Sequence, residues 1–311
     1  MGDRVRAGCA FVTGGSSGIG LAVAMLLAQD YGRIGLFARD AARLQAAADL
    51  IRQTVPGTVV GLYAVDVSDS EAVTRAVSAA IRDLGAPQRV VLSTGSVDLG
   101  ETMALSDAAH RRGMEVNYFG SLWVVRAVTP HLARGAAIGL LGSAGGIIGI
   151  YGYAAYAPAK FALRGLADIL RVELAGQGIT VTLCLPPDTD TPMLQREERE
   201  RSPVTARMAG GAARMTATAV AQALIRGMDR GRYVVLPSLP VGLMWWLAPI
   251  LLPFLQWRER RLLNRLPAPP SRAASPHVFA DHMDEHRHDP PGEEADRKDQ
   301  RERQENAGIG G

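Results

Sequence analysis

Short apolar runs alternate with longer helical patterns through most of this chain, and that alternation limits the folds open to it. "CAFVT" (residues 9–13) precedes "SGIGLAVAMLLAQD", "RIGLFA" precedes "DAARLQAAADLIRQT", and "VVGLYAV" precedes "SDSEAVTRAVSAAIRDLG". Then come "VVLST", a long helical stretch, "AIGLL", a helical pattern from "AAYAPAK" onward, "ITVTLCL", one more helix and "YVVLP". A helix between two strands carries the chain back across the sheet, so successive strands run parallel. Strands that are apolar throughout are buried on both faces. The pattern predicts an α/β fold: a doubly wound sheet of seven mainly parallel strands, with helices on both faces, ending near Leu236.

The rest of the chain reads differently. No charged residue occurs between Arg232 and Arg258, and the basic stretch "RERRLLNR" follows. This run, within an arm over residues 237–266, is long enough to cross a bilayer. Its prolines, Pro237, Pro240, Pro249 and Pro253, argue against one straight spanning helix. Contact with a membrane surface on the cytoplasmic side is the expectation, because the basic flank suits an anionic leaflet. A substrate lid packed on the body, or a contact between copies in a homo-oligomer, are the alternatives. Residues 267–311 are rich in Pro, His and charge, and are expected to be a disordered tail. Its cluster "HVFADHMDEHRH" reads as a solvated charged segment, and no metal is assigned. The N-terminus has no stretch suited to a signal peptide and runs directly into the first strand. A formal charge of +3 over 311 residues gives no nucleic-acid footprint. Cys9 and Cys184 sit in apolar runs and read as buried free thiols.

Three motifs carry chemistry. The loop "TGGSSGIG" lies in the first strand-to-helix turn. There Gly14, Ser16, Ser17, Gly18, Ile19 and Gly20 would bring backbone and a helix N-terminus against a pyrophosphate. Arg39 follows the second strand and Arg43 lies one helical turn later. Two arginines at this point favour a 2′-phosphate over a bare ribose hydroxyl, so the cofactor is read as NADPH. Asp40 reads as an N-cap. Asp66 and Val67, in "AVDVS", are placed to meet the adenine ring, with a helix N-cap as the other reading of Asp66.

The third motif emerges from composition. The chain has 34 Lys and Arg together, yet Lys160 and Lys298 are its only lysines, and its asparagines are Asn117, Asn264 and Asn306. Arg has replaced Lys almost everywhere, so a lysine that persists marks a place where a compact ammonium is required. Lys160 stands four residues after Tyr156 and therefore shares its helix face. A nearby ammonium favours the phenolate and brings tyrosine towards working range. Ser143 ends the fifth strand, and Asn117 suits a carboxamide that holds a water in a relay to Lys160.

Together "TGGSSGIG", "NYFG", Ser143 and "YAPAK" resemble the short-chain dehydrogenase/reductases over roughly residues 7–236. The resemblance implies a Rossmann-type fold with Tyr156 as proton donor and Lys160 as the residue that binds the nicotinamide ribose and lowers the tyrosine pKa. It implies Ser143 orienting the carbonyl and Asn117 completing the relay. Where the family has Asn-Asn-Ala-Gly, this chain has Leu92-Ser93-Thr94-Gly95. Gly95 keeps a close backbone approach to the cofactor, with weaker support than asparagine gives. Thr191 matches the family's threonine beside the nicotinamide, with Thr189 close by. "PPDTDTP" with "YAPAKFALRGLAD" resembles the branch of the family that reduces 3-ketodihydrosphingosine with NADPH, which implies a lipid ketone substrate. Other ketone or aldehyde reductases of the family, acting on a β-ketoacyl thioester, a steroid or a retinoid, are the alternatives. A non-catalytic scaffold that binds NADPH is a further one.

Overall fold

The computed structural model describes residues 7–209 and 214–264. The expected tail, residues 267–311 with its histidine cluster, lies outside the described residues. The first strand, β1 (Cys9–Thr13), is buried along its whole length. It is followed by α1 (Gly18–Asp30), β2 (Arg33–Ala38), α2 (Ala41–Thr54), β3 (Val59–Ala64), α3 (Ser70–Leu84) and β4 (Arg89–Leu92). Next come α4 (Asp107–Met114), α5 (Gly120–Val128), β5 (Ala137–Leu141), α6 (Tyr156–Glu173) and β6 (Thr180–Cys184). The chain then makes β7 (Thr189–Asp190), α7 (Pro192–Glu200), α8 (Pro203–Ala209), β8 (Met215–Thr216), α9 (Ala217–Asp229), β9 (Val234–Val235) and α10 (Leu239–Leu263).

Seven strands form one parallel sheet in the order β3-β2-β1-β4-β5-β6-β9, as the alternating pattern predicts. Its two faces carry separate apolar cores. One is built on Phe11, Val90, Ile138 and Leu183 and the other on Val12, Leu36, Val91 and Cys184. Alternate residues of the same strands thus supply opposite faces, and helices close both. Cys9 and Cys184 are buried and free, on strands that are not neighbours. Burial pushes the Cys9 thiol up to about 12 and raises that of Cys184 as well.

Helix starts follow local chemistry. In α3 the residues Val73, Val77, Ala80 and Leu84 face the core at helical spacing. Asp69 opens that helix by accepting the amides of Glu71 and Ala72. Asp40 does the same for α2 through the amide of Arg43, as expected. The N-cap reading of Asp66 is corrected, because Asp69 holds that position and Asp66 instead folds onto the amide and hydroxyl of Ser68.

Two other features depart from the sequence reading. A small parallel pair, β7 with β8, lies outside the main sheet. It is two residues long in each strand, too short for a periodic signal. The proline-rich run also forms a single helix, α10, against the expectation that its prolines would break it. Pro237 precedes the helix, and Pro240 falls in the first turn, where the missing N–H has no partner to lose. Pro249 and Pro253 lie inside and are four residues apart, so the lost bonds fall on one side while the other side of the ladder continues. Apolar on all sides, α10 has a half-buried face through Val241, Met244, Trp245, Ala248 and Leu255. Val241 packs in the core, and Arg164 lies 4.2 Å above the Trp245 ring.

Replacing Asp69 by alanine removes the acceptor for two first-turn amides. This should lower stability by about 1 kcal/mol, which denaturant titration would register as an earlier midpoint with unchanged slope.

Candidate active site

Strand order reverses between β1 and β4: the chain first builds outward to β2 and β3, then returns to the far side of β1. The loops that leave the C-terminal ends of β1 and β4 part at that point and leave a crevice. A cavity of about 520 Å³ opens there. It is lined by Gly14, Ser16, Ser17, Gly18, Ile19, Arg39, Arg43, Asp66, Val67, Gly95, Ser143, Tyr156, Lys160, Thr189 and Thr191. All but two of the expected site residues are therefore on its wall. Gly20 and Asn117 support the wall from behind.

The glycine loop has the shape needed for a close anionic ligand. Gly14 and Gly18 take φ of 65° and 55°, a region that side chains avoid. A Cβ on Gly20 would fall 2.3 Å from the Gly14 carbonyl oxygen, so the turn closes only with glycine there. The N-terminus of α1 is not capped by the side chain of Ser17, whereas α2, α3, α7 and α9 each have a side-chain cap. Uncapped amides at a helix start facing a cavity are a seat for phosphate oxygens. Further out, Arg39 and Arg43 are exposed on the wall, paired loosely with Asp66 at 3.7 Å and Asp40 at 3.3 Å. These residues fit a dinucleotide with an added phosphate on its adenosine ribose.

At the other end, Tyr156 is the first residue of α6 and Lys160 lies one turn on. Lys160 is buried and donates to the Leu141 carbonyl at 3.1 Å, with its nitrogen 5.5 Å from the Tyr156 ring centre. Burial lowers its pKa to about 8. Burial pushes Tyr156 up to about 12, a hydrogen bond with Ser143 pulls it down, and the charges of Glu197 and Asp188 add to the rise. The expected lowering of the tyrosine by Lys160 is not among these causes; burial is the largest for both groups and disfavours the charged form of each. A phenol held protonated at neutral pH suits donation to a developing alkoxide. Ser143 accepts the Gly145 amide at 3.1 Å, which aims its own hydroxyl proton elsewhere.

Asn117 lies in a π-helical turn, Glu115–Phe119, that joins α4 to α5. Its amide nitrogen donates to the carbonyls of Ser96 and Gly113, each at 2.9 Å, and its oxygen faces the Ser96 amide at 3.4 Å. Asn117 therefore clamps the loop after β4. A Cβ on Gly95 would come within 3.0 Å of the Asn117 oxygen and 3.7 Å of the Lys160 nitrogen, so glycine keeps these three groups together. In the same loop the Ser93 and Thr94 amides point at the Thr13 hydroxyl, at 3.2 and 3.4 Å. The Thr94 hydroxyl is buried without a partner among the described residues.

Beyond β6, Thr191 caps α7 through the Leu194 amide, and its methyl lies against Gly18. The loop after β6 is thereby seated on the glycine loop. Thr189 is buried and donates to the Pro187 carbonyl. Sequence reasoning missed Asp188, Tyr153 and Glu197 on the wall, and Val241 and Met244 of α10, which line the same cavity. The spacing of Glu197 and Arg201 was the available signal, but their link to Asp188 and Tyr153 is tertiary.

Comparison with known proteins gives a consistent result. The profile of the short chain dehydrogenase family matches residues 8–202. A 3-dehydrosphinganine reductase of Arabidopsis thaliana is 36% identical over 231 residues, covering 72% of this chain and 68% of the relative. A 3-ketodihydrosphingosine reductase of Dictyostelium discoideum is 30% identical, covering 78% of each chain. Among solved structures, a short-chain dehydrogenase from Sphingobium yanoikuyae in complex with NADPH superposes with a TM-score of 0.66 at 24% identity. It covers 84% of this chain and 97% of its own, and shows the shared fold.

The depressed Lys160 has a measurable consequence for the protein without cofactor. Its folded value of about 8 lies below the ordinary 10.5 of a lysine in water. Between those values the unfolded chain holds a proton that the folded chain has released, so this group makes stability rise with pH. Melting temperatures across that interval should show the wild type gaining on Lys160→Met as pH increases. Parallel curves would contradict the burial assigned to this ammonium.

Proposed function

The chain belongs to the short-chain dehydrogenase/reductase family, and on that premise we propose that it reduces the ketone of a long-chain lipid with NADPH, the substrate being 3-ketodihydrosphingosine. The observation that carries the reading is the joining of two ends in one cavity. Arginines suited to a 2′-phosphate stand at one end, and Tyr156, Ser143 and Lys160 stand beside an apolar helix at the other. The relatives named above act, by their names, on this sphingoid ketone.

When bound, NADPH supplies the hydride. The Tyr156 hydroxyl donates a proton to the carbonyl oxygen, and burial keeps it protonated for that purpose. Ser143 holds the same oxygen by hydrogen bonding. Lys160 holds the ribose and, below a pH of about 8, presents a positive charge behind the phenol. Asn117 keeps Gly95 close to the cofactor and lies beside the ammonium, where a water can complete the relay. Pro187, where the family has glycine, stiffens the loop that carries Thr189 and Thr191.

The arm rests on a membrane surface. One face of α10 is turned to the body and the cavity, while Leu243, Trp246, Leu247, Ile250, Phe254 and Trp257 form an exposed apolar stripe on the other. The helix is apolar enough for a span over Leu239–Arg261. Its packing through Val241 and Trp245 favours lying on the bilayer over crossing it. Arg258, Arg260 and Arg261 would meet anionic headgroups of a cytoplasmic leaflet.

NADPH oxidation assayed with a 3-keto sphingoid base, an acetoacetyl thioester and a steroid ketone should favour the first. Preference for either of the others would overturn the substrate reading. Tyr156→Phe should lose about a thousandfold in turnover while NADPH binding, followed by fluorescence, changes little. Retained turnover would remove the tyrosine from its role. In vesicle flotation, Ile250→Arg with Phe254→Arg should release the protein from anionic vesicles, and undiminished flotation would exclude this stripe as the contact.

A further inference from the structure

The wall near Tyr156 carries an excess of negative charge that ketone reduction alone does not call for. Asp188, in the loop after β6, and Glu197, on α7, both line the cavity with Tyr156 and Ser143. Their common partner Arg201 stands behind them, with a side chain only 7% exposed and no place on the cavity wall. It donates two bonds to Asp188 Oδ2, at 3.1 and 3.2 Å, another to Glu197 Oε1, and one to the Tyr153 hydroxyl at 2.9 Å. The second oxygen of each carboxylate accepts no hydrogen bond among the described residues. A clasp that merely tied α7 to this loop would need one carboxylate for one guanidinium. Here there are two, which leaves one negative charge in surplus.

Other charges on the wall do not cancel it. Lys160 donates to the Leu141 carbonyl, Arg196 lines the cavity but is exposed and pairs with neither carboxylate, and Arg258 and Glu259 are neighbours of opposite sign on α10. Arg39 and Arg43 stand at the adenosine end. Arginines thus stand where an anionic cofactor fits, and two carboxylates that share one guanidinium stand beside the reacting group. The charges of both carboxylates raise the pKa of Tyr156, after the larger effect of its burial.

We propose that Asp188 and Glu197 seat a cationic amine borne on the carbon next to the reacting ketone, so that the site selects 2-amino ketones over ketones without the amine. The inference rests on the substrate reading above, since a 3-keto sphingoid base carries its ammonium on the carbon bonded to the carbonyl carbon. An ammonium drawn into a largely apolar cavity without a counter-charge is strongly disfavoured. The surplus carboxylate supplies that counter-charge, and the pair is a specificity determinant rather than part of the proton transfer.

The test compares kcat/KM of the full chain with NADPH for a 3-keto sphingoid base and for the desamino ketone of the same length. The wild type should prefer the amino ketone. Glu197→Gln should cut the ratio of the two by about tenfold or more, chiefly through the KM of the amino ketone. An equal loss on both substrates would show that the carboxylate serves only the fold, and would overturn the proposal. Should that variant fail to fold, Asp188→Asn retains the Arg201–Glu197 pair and reads the same ratio. The wild type provides an independent arm: raising the pH until the substrate amine is neutral should erase the preference, and a preference that persisted would overturn the proposal. If the wild type turned over neither lipid ketone, the substrate reading itself would fall, an outcome distinct from a ratio that does not move.

Discussion

Lys160 brings an ammonium group to the C-terminal edge of a sheet whose core is otherwise apolar. Lys160 is only 4% exposed. Holding it there requires partners, and the Leu141 carbonyl at the end of β5 is one. Two further donors of the ammonium remain for groups that enter the cavity. Much of the surrounding architecture keeps this position in place. Gly95 admits the nitrogen, Asn117 clamps the loop that carries Gly95, and the π-helical turn between α4 and α5 puts Asn117 within reach of Ser96. The same burial raises the Tyr156 phenol and lowers the Lys160 ammonium, so desolvation favours the uncharged form of both groups.

The sheet was readable because each strand is an uninterrupted apolar run and each connection a helix, a pattern with few solutions. The glycine loop was readable because its residues are required by backbone geometry, and Lys160 because an arginine-rich chain kept one lysine in its body. What escaped the sequence depends on tertiary partners. Asp69 and Asp66 both precede α3, and only the backbone shows that Asp69 caps it. The pairing of β7 with β8 joins segments about 25 residues apart, with two residues in each strand. Asp188 was visible in "PPDTDTP", but its surplus charge emerged only when Arg201 and Glu197 were found beside it. The same loop seats α7 on the glycine loop through Thr191 and lines the cavity near Tyr156.

The helix α10 shows how one element can serve two surroundings. Its prolines suggested interruption, yet positions in the first turn and on a shared side allow the helix to continue. One face completes the cavity wall through Val241 and Met244, and the other presents aromatic and aliphatic side chains outward. A helix apolar on both sides, with one side on the protein, places the catalytic cavity next to whatever covers the second. In the proposed setting that is the lipid surface from which a long-chain ketone would come.

The central claim is that this chain delivers hydride from NADPH to a sphingoid ketone in the cavity bounded by Tyr156 and α10. Its most direct test is isotopic: NADPH carrying deuterium at the transferable position of the nicotinamide, incubated with the full chain and a 3-keto sphingoid base. Mass spectrometry should find the product one mass unit heavier, with the deuterium on the carbon that bore the ketone, from one of the two labelled cofactor epimers and not the other. Product free of deuterium with both epimers, or no product at all, would contradict the account.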